Sequence, residues 1–301
     1  MVLTKVKKKL SSVFSAQLEQ YNIAMSARLE KKGIAPNIRN TEETIEKLLS
    51  GPISMSRLGD GEFVTIFGGR TNYQEYTPEL AQKLQEVLHS NVENHIVGVS
   101  DVFTDLNERD EANKAYWKEH LKVYRHLYYK YMDMNKVYYN TSATRVYKLL
   151  ADKSLAGPRF EQWRKLWDGR DVVFIEGAQT RMGVGNDLFS NAKSIRRILG
   201  PSENAFSCWR EILEQAKQLE KDCLFILALG PAATVISYEL AKLGYYALDL
   251  GHIDIEYEWY KREDSRTVVA GKYVNEVTGG NQVVDCNDEE YLSQIIFKID
   301  G

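Results

Sequence analysis

Two carboxylates, Asp60 and Glu62, stand one glycine apart in Ser54-Met-Ser-Arg-Leu-Gly-Asp-Gly-Glu-Phe63. The stretch reads as a short buried strand running into a tight turn, with Gly59 and Gly61 letting the backbone bend sharply at the strand end. Two hard oxygen ligands on such a platform suit a divalent cation that also holds phosphate oxygens. Arg57, just before the bend, adds a positive charge. Asp-x-Glu occurs three times, at Asp60/Glu62, Asp254/Glu256 and Asp288/Glu290, so spacing alone singles out none of them. Context does. The last lies in a polar tail, Asp285-Cys-Asn-Asp-Glu-Glu290, and reads as a solvated face, whereas the first two each follow an apolar run and a glycine.

Around the second triplet, Gly251-His-Ile-Asp-Ile-Glu-Tyr-Glu-Trp259 allows two readings. Extended, it puts His252, Asp254, Glu256 and Glu258 on one face, an arrangement that calls for a nearby metal, arginine or sugar. Helical, it spreads the acids around the axis. The loop Gly177-Ala-Gln-Thr-Arg-Met-Gly-Val-Gly-Asn-Asp187 joins three glycines and an arginine to an expected helix carrying Lys193, Arg196 and Arg197. Those are the parts of a phosphate cradle, although a plain connection before a basic solvated helix would look the same. The loop matches neither the Walker P-loop nor the full dinucleotide fingerprint. Asp101, just past an apolar run, and Arg145, in the polar junction Asn140-Thr-Ser-Ala-Thr-Arg145, are also placed either to meet a ligand or to serve a helix end.

These groups need strands to hold them. Apolar runs bounded by glycine or polar residues predict strands at Ser54, His95–Ser100, Lys136–Tyr139, Asp171–Glu176, Asp222–Leu229 and Tyr245–Leu250. Helices are expected at Thr41–Leu49, Pro78–Ser90, within the aromatic-rich residues 108–134, and from Pro231 to Leu243. The strand–helix–strand unit ending at Leu250, punctuated by Gly230-Pro231 and Gly244, argues for a parallel sheet in an α/β domain. Residues 1–33 are lysine-rich, and Leu10, Val13, Phe14 and Leu18 recur at roughly helical spacing, before Pro36 breaks the pattern. The expected organisation is an N-terminal helical extension over 1–40 and a single domain over 41–301.

With 44% hydrophobic and 27% charged residues the chain is an ordinary soluble globular protein, and a net charge of −3 gives no electrostatic case for nucleic acid. Three cysteines, Cys208, Cys223 and Cys286, without C-x-x-C spacing argue against a disulfide framework or a structural zinc and for the cytoplasm. Neither a signal peptide nor a membrane span is expected. Eighteen tyrosines would suit a glycan groove, a homodimer interface or a core rim.

Ser56-Arg-Leu-Gly-Asp-Gly-Glu-Phe63, Glu176-Gly177, Arg181-Met-Gly-Val-Gly-Asn-Asp-Leu-Phe189, Asn191-Ala-Lys-Ser194, Ala228-Leu-Gly-Pro231 and Gly251 to Trp259 together resemble the GT-D-fold glycosyltransferases, a bacterial family, over residues 40–275. The resemblance implies a Rossmann-like, mostly parallel sheet flanked by helices, and transfer from a nucleotide sugar, typically UDP-glucose, with Mn²⁺ or Mg²⁺. It sets the family's Asp-x-Glu metal motif on Asp60 and Glu62. Arg57, Arg181 and Lys193, with the Gly177 loop, become the expected holders of the diphosphate, and Asn186 and Asp187 of ribose or sugar hydroxyls. The family's acceptor is a partly glycosylated serine-rich adhesin, extended in the cytosol before export. An inverting transfer needs a base for the acceptor's proton, for which Asp254 and Glu256 are candidates and His252 an alternative; a retaining one would leave those acids to bind sugar. Two other readings use the same acids. One is a metal-dependent hydrolase of nucleotide sugars or phosphodiesters, against which stands the lack of a dense His/Asp cluster. The other is a non-catalytic nucleotide-sugar-binding protein.

Overall fold

The computed structural model describes the backbone of residues 2–264 and 266–300 and, within these, side chains from residue 17 onward. In chain order the first half runs α1 (Val2–Lys31), β1 (Asn37–Ile38), α2 (Thr41–Leu49), β2 (Ser54–Leu58), α3 (Asp60–Ile66), α4 (Pro78–Leu88), β3 (His95–Val99), α5 (Glu111–Tyr131), β4 (Val137–Asn140) and α6 (Ala156–Arg164). The second half runs β5 (Asp171–Gly177), β6 (Ser194–Gly200), α7 (Trp209–Ala216), β7 (Leu224–Ala228), α8 (Pro231–Lys242), β8 (Tyr246–Asp249), α9 (Ile253–Arg262), α10 (Glu289–Gln294) and β9 (Ile295–Lys298). The helix starts follow local chemistry. Asn40 and Glu43 form a reciprocal capping box for α2, Thr77 and Asp110 cap α4 and α5, and Pro231 opens α8 behind Gly230.

Nine strands form one sheet in the order β1-β4-β3-β2-β8-β7-β5-β6-β9, and every pairing is parallel. Alternating strand residues feed two cores. Val173, Ile175, Phe225 and Leu227 face one way, under α3, α4, α5, α7 and α8. Val172, Phe174, Leu224 and Ile226 face the other, under α2, α6 and α9. Two-sided burial explains the near-continuous apolar strands of the second half.

Two expectations change in detail, and one choice left open is decided. The stretch carrying Lys193, Arg196 and Arg197 is not a helix: its last seven residues are strand β6. Alternation puts the two arginines on opposite faces, so Arg196 pairs with Glu220 at the surface while Arg197 is buried against Glu176 at 2.5 Å. Residues 253–262 are helical, not extended, because Ile253/Tyr257 and Ile255/Trp259 each recur four residues apart and turn inward. Finally, β1 pairs with β4 at Asn37 and Ile38, so the sheet begins inside the stretch read as an extension. Helix α1 lies along α5, where the Ser26 hydroxyl donates to the Val123 carbonyl at 3.1 Å. Of the spacing residues in that helix, Leu10, Val13 and Phe14 have side chains outside the described residues, and Leu18 is exposed. No helix among the described residues is long and apolar enough to cross a membrane.

Candidate active site

Parallel pairing brings all the carboxyl ends to one side of the sheet. From β2 the chain turns toward β3, whereas from β8, its neighbour, it leaves for β9 at the opposite edge. Ligands in open α/β sheets bind where such connections diverge. A cavity of about 800 Å³ opens there.

Asp60 and Glu62 line it from the first turn of α3, which starts directly at the end of β2. The Glu62 carboxylate turns back to accept the Gly59 N–H at 2.8 Å, which fixes its direction. Burial raises the Glu62 carboxyl to about 7; the Gly59 N–H opposes the shift and the neighbouring Asp249 adds to it. A cation in front of it would favour the ionised form. Asp60 accepts a hydrogen bond from the Tyr116 hydroxyl of α5, and burial beside Asp60 raises that phenol well above its usual range.

Arg57, the next-to-last residue of β2, is locked in place. Its Nε donates to the Asp249 carbonyl at 2.8 Å, its Nη2 to the Asp249 carboxylate at 3.0 Å, and its Nη1 to the Thr144 hydroxyl at 2.9 Å. Asp249 is buried, which raises its carboxyl, while Arg57 pulls it down. The guanidinium lies against Gly251, whose φ is +52°; a Cβ there would come within 2.0 Å of Arg57 Nη2. Tyr73 reaches the cavity from the loop after α3, its hydroxyl over Gly61 and its ring against Gly230.

Across the cavity, Arg145 and Lys148 both donate to Glu276. His252 joins them, with Nδ1 at 3.6 Å from Glu276. Burial lowers the His252 imidazole to about 4 against the pull of Glu276, so it is neutral at physiological pH. Burial alone would raise Glu276, but Arg145, His252 and Lys148 hold it well below the usual carboxylate range.

The glycosyltransferase GT-D fold family model matches residues 55–277, which holds the whole arrangement from Arg57 to Glu276. The chain belongs to the GT-D-fold glycosyltransferase family. It is similar to glycosyltransferase GlyD of Streptococcus pneumoniae serotype 4, with 34% identity over 273 residues covering 90% of this chain and 33% of that protein. The probable glycosyl transferase Gly of Streptococcus gordonii is 35% identical over 283 residues, 90% of this chain and 41% of its own. The chain thus spans well under half the length of these curated relatives. A solved domain of unknown function 1792, described as having a distinct glycosyltransferase fold, superposes with a TM-score of 0.84 at 33% identity, over 93% of this chain and 100% of its own. A glycosyltransferase of that domain type from Streptococcus sanguinis gives 0.82 at 33% identity, over 88% and 100%.

Within this GT-D frame, the sequence-derived residues divide into two groups. Asp60, Glu62, Arg57, Gly177 and His252 line the cavity together. Asp254, Glu256, Arg181, Asn186, Asp187 and Lys193 do not, and each has a partner elsewhere. Glu256 accepts the backbone N–H groups of Tyr147 and Lys148 at 3.0 and 2.6 Å. Asp254 accepts from the Gly183 N–H, the Asn186 amide and Lys272. Arg181 donates to the carbonyls of Gly271 and Val284, and Asp187 accepts from the Tyr257 hydroxyl. Lys193 pairs with Asp171 at the amino end of β5 and β6, a strand length of about 20 Å from the cavity side. The acids of α9 therefore brace the loops after β4 and β5 instead of facing a ligand.

Sequence reasoning left Asp249, Tyr73, Tyr116, Lys148 and Glu276 unassigned. Asp249 carried a usable signal, an acid at the end of an apolar strand. Asp101 carried the same signal, yet it pairs with Arg109 beside a small separate cleft.

A divalent cation in this cavity would meet two carboxylates carried on the first turn of α3. Among the described residues no three His, Cys, Asp or Glu side chains converge to hold a metal. Asp60 and Glu62 would be its protein ligands, and phosphate oxygens and water would complete the shell, as suits Mg²⁺ or Mn²⁺ at a nucleotide site.

Proposed function

We propose that this domain, the sheet from Asn37 onward braced by α1, transfers a hexosyl group from a UDP-sugar, UDP-glucose in the first instance, to a glycan acceptor. The observation that carries the reading is the joint exposure, in one cavity at the diverging strand ends, of a carboxylate pair and a set of fixed cations. Breaking the bond between the anomeric carbon and the diphosphate puts negative charge on the leaving phosphate. Arg57 meets that charge from a position already set by Asp249 and Thr144, so little reorganisation is needed during reaction. Asp60 and Glu62 would hold Mn²⁺ or Mg²⁺, which supplies Lewis-acid stabilisation of the leaving group. His252, neutral and open to the cavity, is the candidate that takes the acceptor hydroxyl's proton. Gly177 and Thr180 would give the diphosphate or ribose a close backbone approach. For the acceptor we carry over the family's partly glycosylated serine-rich adhesin, modified in the cytosol. The exposed Tyr116 ring at the cavity rim suits a sugar face.

Product analysis with labelled UDP-glucose and Mn²⁺ tests this. Label moving into a glycosylated serine-rich acceptor, with little free glucose in its absence, is the expected result. Release of free glucose at the same rate with and without acceptor would overturn transfer in favour of hydrolysis.

A further inference from the structure

Glu276 fills a place built for an anion. One of its carboxylate oxygens accepts from Arg145 and the other from Lys148, with His252 alongside. The Arg145 half of the seat does not depend on Glu276 for its shape. Glu256, buried on α9, holds Arg145 at 3.3 Å with one oxygen and the backbone N–H groups of Tyr147 and Lys148 with the other. Glu256 thus sets the Arg145 guanidinium and the Lys148 backbone, and the Lys148 ammonium lies 5.6 Å from the Trp259 ring centroid, at the wall of the same cavity that carries Asp60 and Glu62.

Glu276 reaches this seat from the tip of a strap. Residues 271–284 contain neither helix nor strand, but their roots are firm. Lys272 is buried against Asp254 at 2.6 Å and Glu258 at 3.3 Å, and Arg181 donates to the carbonyls of both Gly271 and Val284. The Val274 N–H to Gly280 carbonyl bond at 2.8 Å closes the neck. Beyond the neck, the Glu276 carboxylate is the charged tie between tip and seat. Its neighbour Asn275 lines the cavity with a buried Oδ1 that has no hydrogen-bond partner, a state that costs free energy until a donor arrives.

We propose that Arg145 and Lys148 form an anion-exchange seat, in which Glu276 is the resident occupant and a phosphoryl group of a diphosphate ligand displaces it and lifts the 275–279 tip. The proposal rests on the nucleotide-sugar reading and adds a gate to it. A nucleotide-sugar diphosphate carries two charges over four non-bridging oxygens against a carboxylate's one charge over two, and it pairs bidentately with a guanidinium, so it competes well for such a seat. The lifted tip then carries Glu276 and Asn275 at the cavity mouth, where they accept from the hydroxyls of a bound sugar.

The test is calorimetric titration of inorganic pyrophosphate, without metal, into the full chain and its Glu276→Gln and Glu276→Ala variants. Removing the resident charge should tighten pyrophosphate binding about tenfold or more in both variants, and adding Lys148→Gln to Glu276→Gln should cancel the gain. Hydrogen exchange across 273–280 in the unaltered chain should rise when pyrophosphate binds. If both folded variants bind pyrophosphate no tighter than the unaltered chain, the exchange is wrong. UDP-glucose titrated with Mn²⁺ into the unaltered chain separates the two claims. Binding there, with unchanged pyrophosphate affinity in the variants, removes the exchange and keeps the donor reading. Tighter pyrophosphate in the variants without UDP-glucose binding does the reverse.

Discussion

Glu256 holds Arg145 in place: its Oε1 lies 3.3 Å from the guanidinium, and its Oε2 accepts two successive backbone N–H groups two and three residues further on. The side chain is fully buried, so its charge is satisfied entirely by that loop. Glu256→Ala would leave Arg145 and two N–H groups without their partner and should cost about 3–5 kcal/mol of stability. Glu256→Gln keeps one acceptor and should cost less, about 1–3 kcal/mol. Urea unfolding of both variants checks the order. A loss of turnover with unchanged stability would instead make Glu256 a catalytic acid.

Gly251→Ala should be worse than a normal glycine change. Its backbone has φ +52°, and the new Cβ would collide with Arg57 Nη2. Strain of about 1–3 kcal/mol is expected, together with weaker nucleotide binding as Arg57 is pushed off Asp249. Thermal unfolding and UDP titration measure the two effects separately.

Tyr116→Phe removes the hydroxyl that orients Asp60 and little else, since the ring is partly exposed. Loss of such a partner to a metal ligand should weaken Mn²⁺ binding about tenfold. Electron paramagnetic resonance of free Mn²⁺ against protein concentration reads this directly. The melting temperature should move little.

Acid should destabilise the fold through His95, at the start of β3. This imidazole sits between the Ser90 and Ser56 hydroxyls at 3.0 and 2.8 Å, and burial, with Lys136 nearby, lowers it to about 3. In the unfolded chain it titrates near its ordinary 6.5, so between 6.5 and about 3 the unfolded state binds a proton that the folded state does not. Stability from this group is therefore complete above pH 6.5 and falls as pH drops, by up to about 1.4 kcal/mol per unit. His95→Gln should flatten the pH dependence of urea midpoints across that window. An unchanged slope would show that His95 is protonated in the folded protein.

The sheet was legible because two-sided burial writes long apolar strands, and Gly230-Pro231 and Gly244 mark the turns between them. Asp60 and Glu62 stood out by their place at a strand end after an apolar run and a glycine, and the fold puts both in the cavity. What sequence could not show was burial. Asp254, Glu256 and Glu258 share one face only in an extended segment, whereas the helix turned them toward backbone N–H groups, Asn186, Lys272 and Arg145. Lys193 and Arg197 looked like one basic surface until strand alternation and the length of β6 separated them. Glu276 lies in a segment with no periodicity, and only the fold carries it to Arg145.

On the proposed reading, Asp60 and Glu62 make this cavity a metal-dependent nucleotide-sugar site. Calorimetric titration of UDP-glucose, with and without Mn²⁺, into the unaltered chain and its Asp60→Ala and Glu62→Ala variants tests it most directly. Binding is expected to require Mn²⁺ and to weaken at least about tenfold in each folded variant. UDP-glucose binding equally tight in both variants, or indifferent to Mn²⁺, would contradict it.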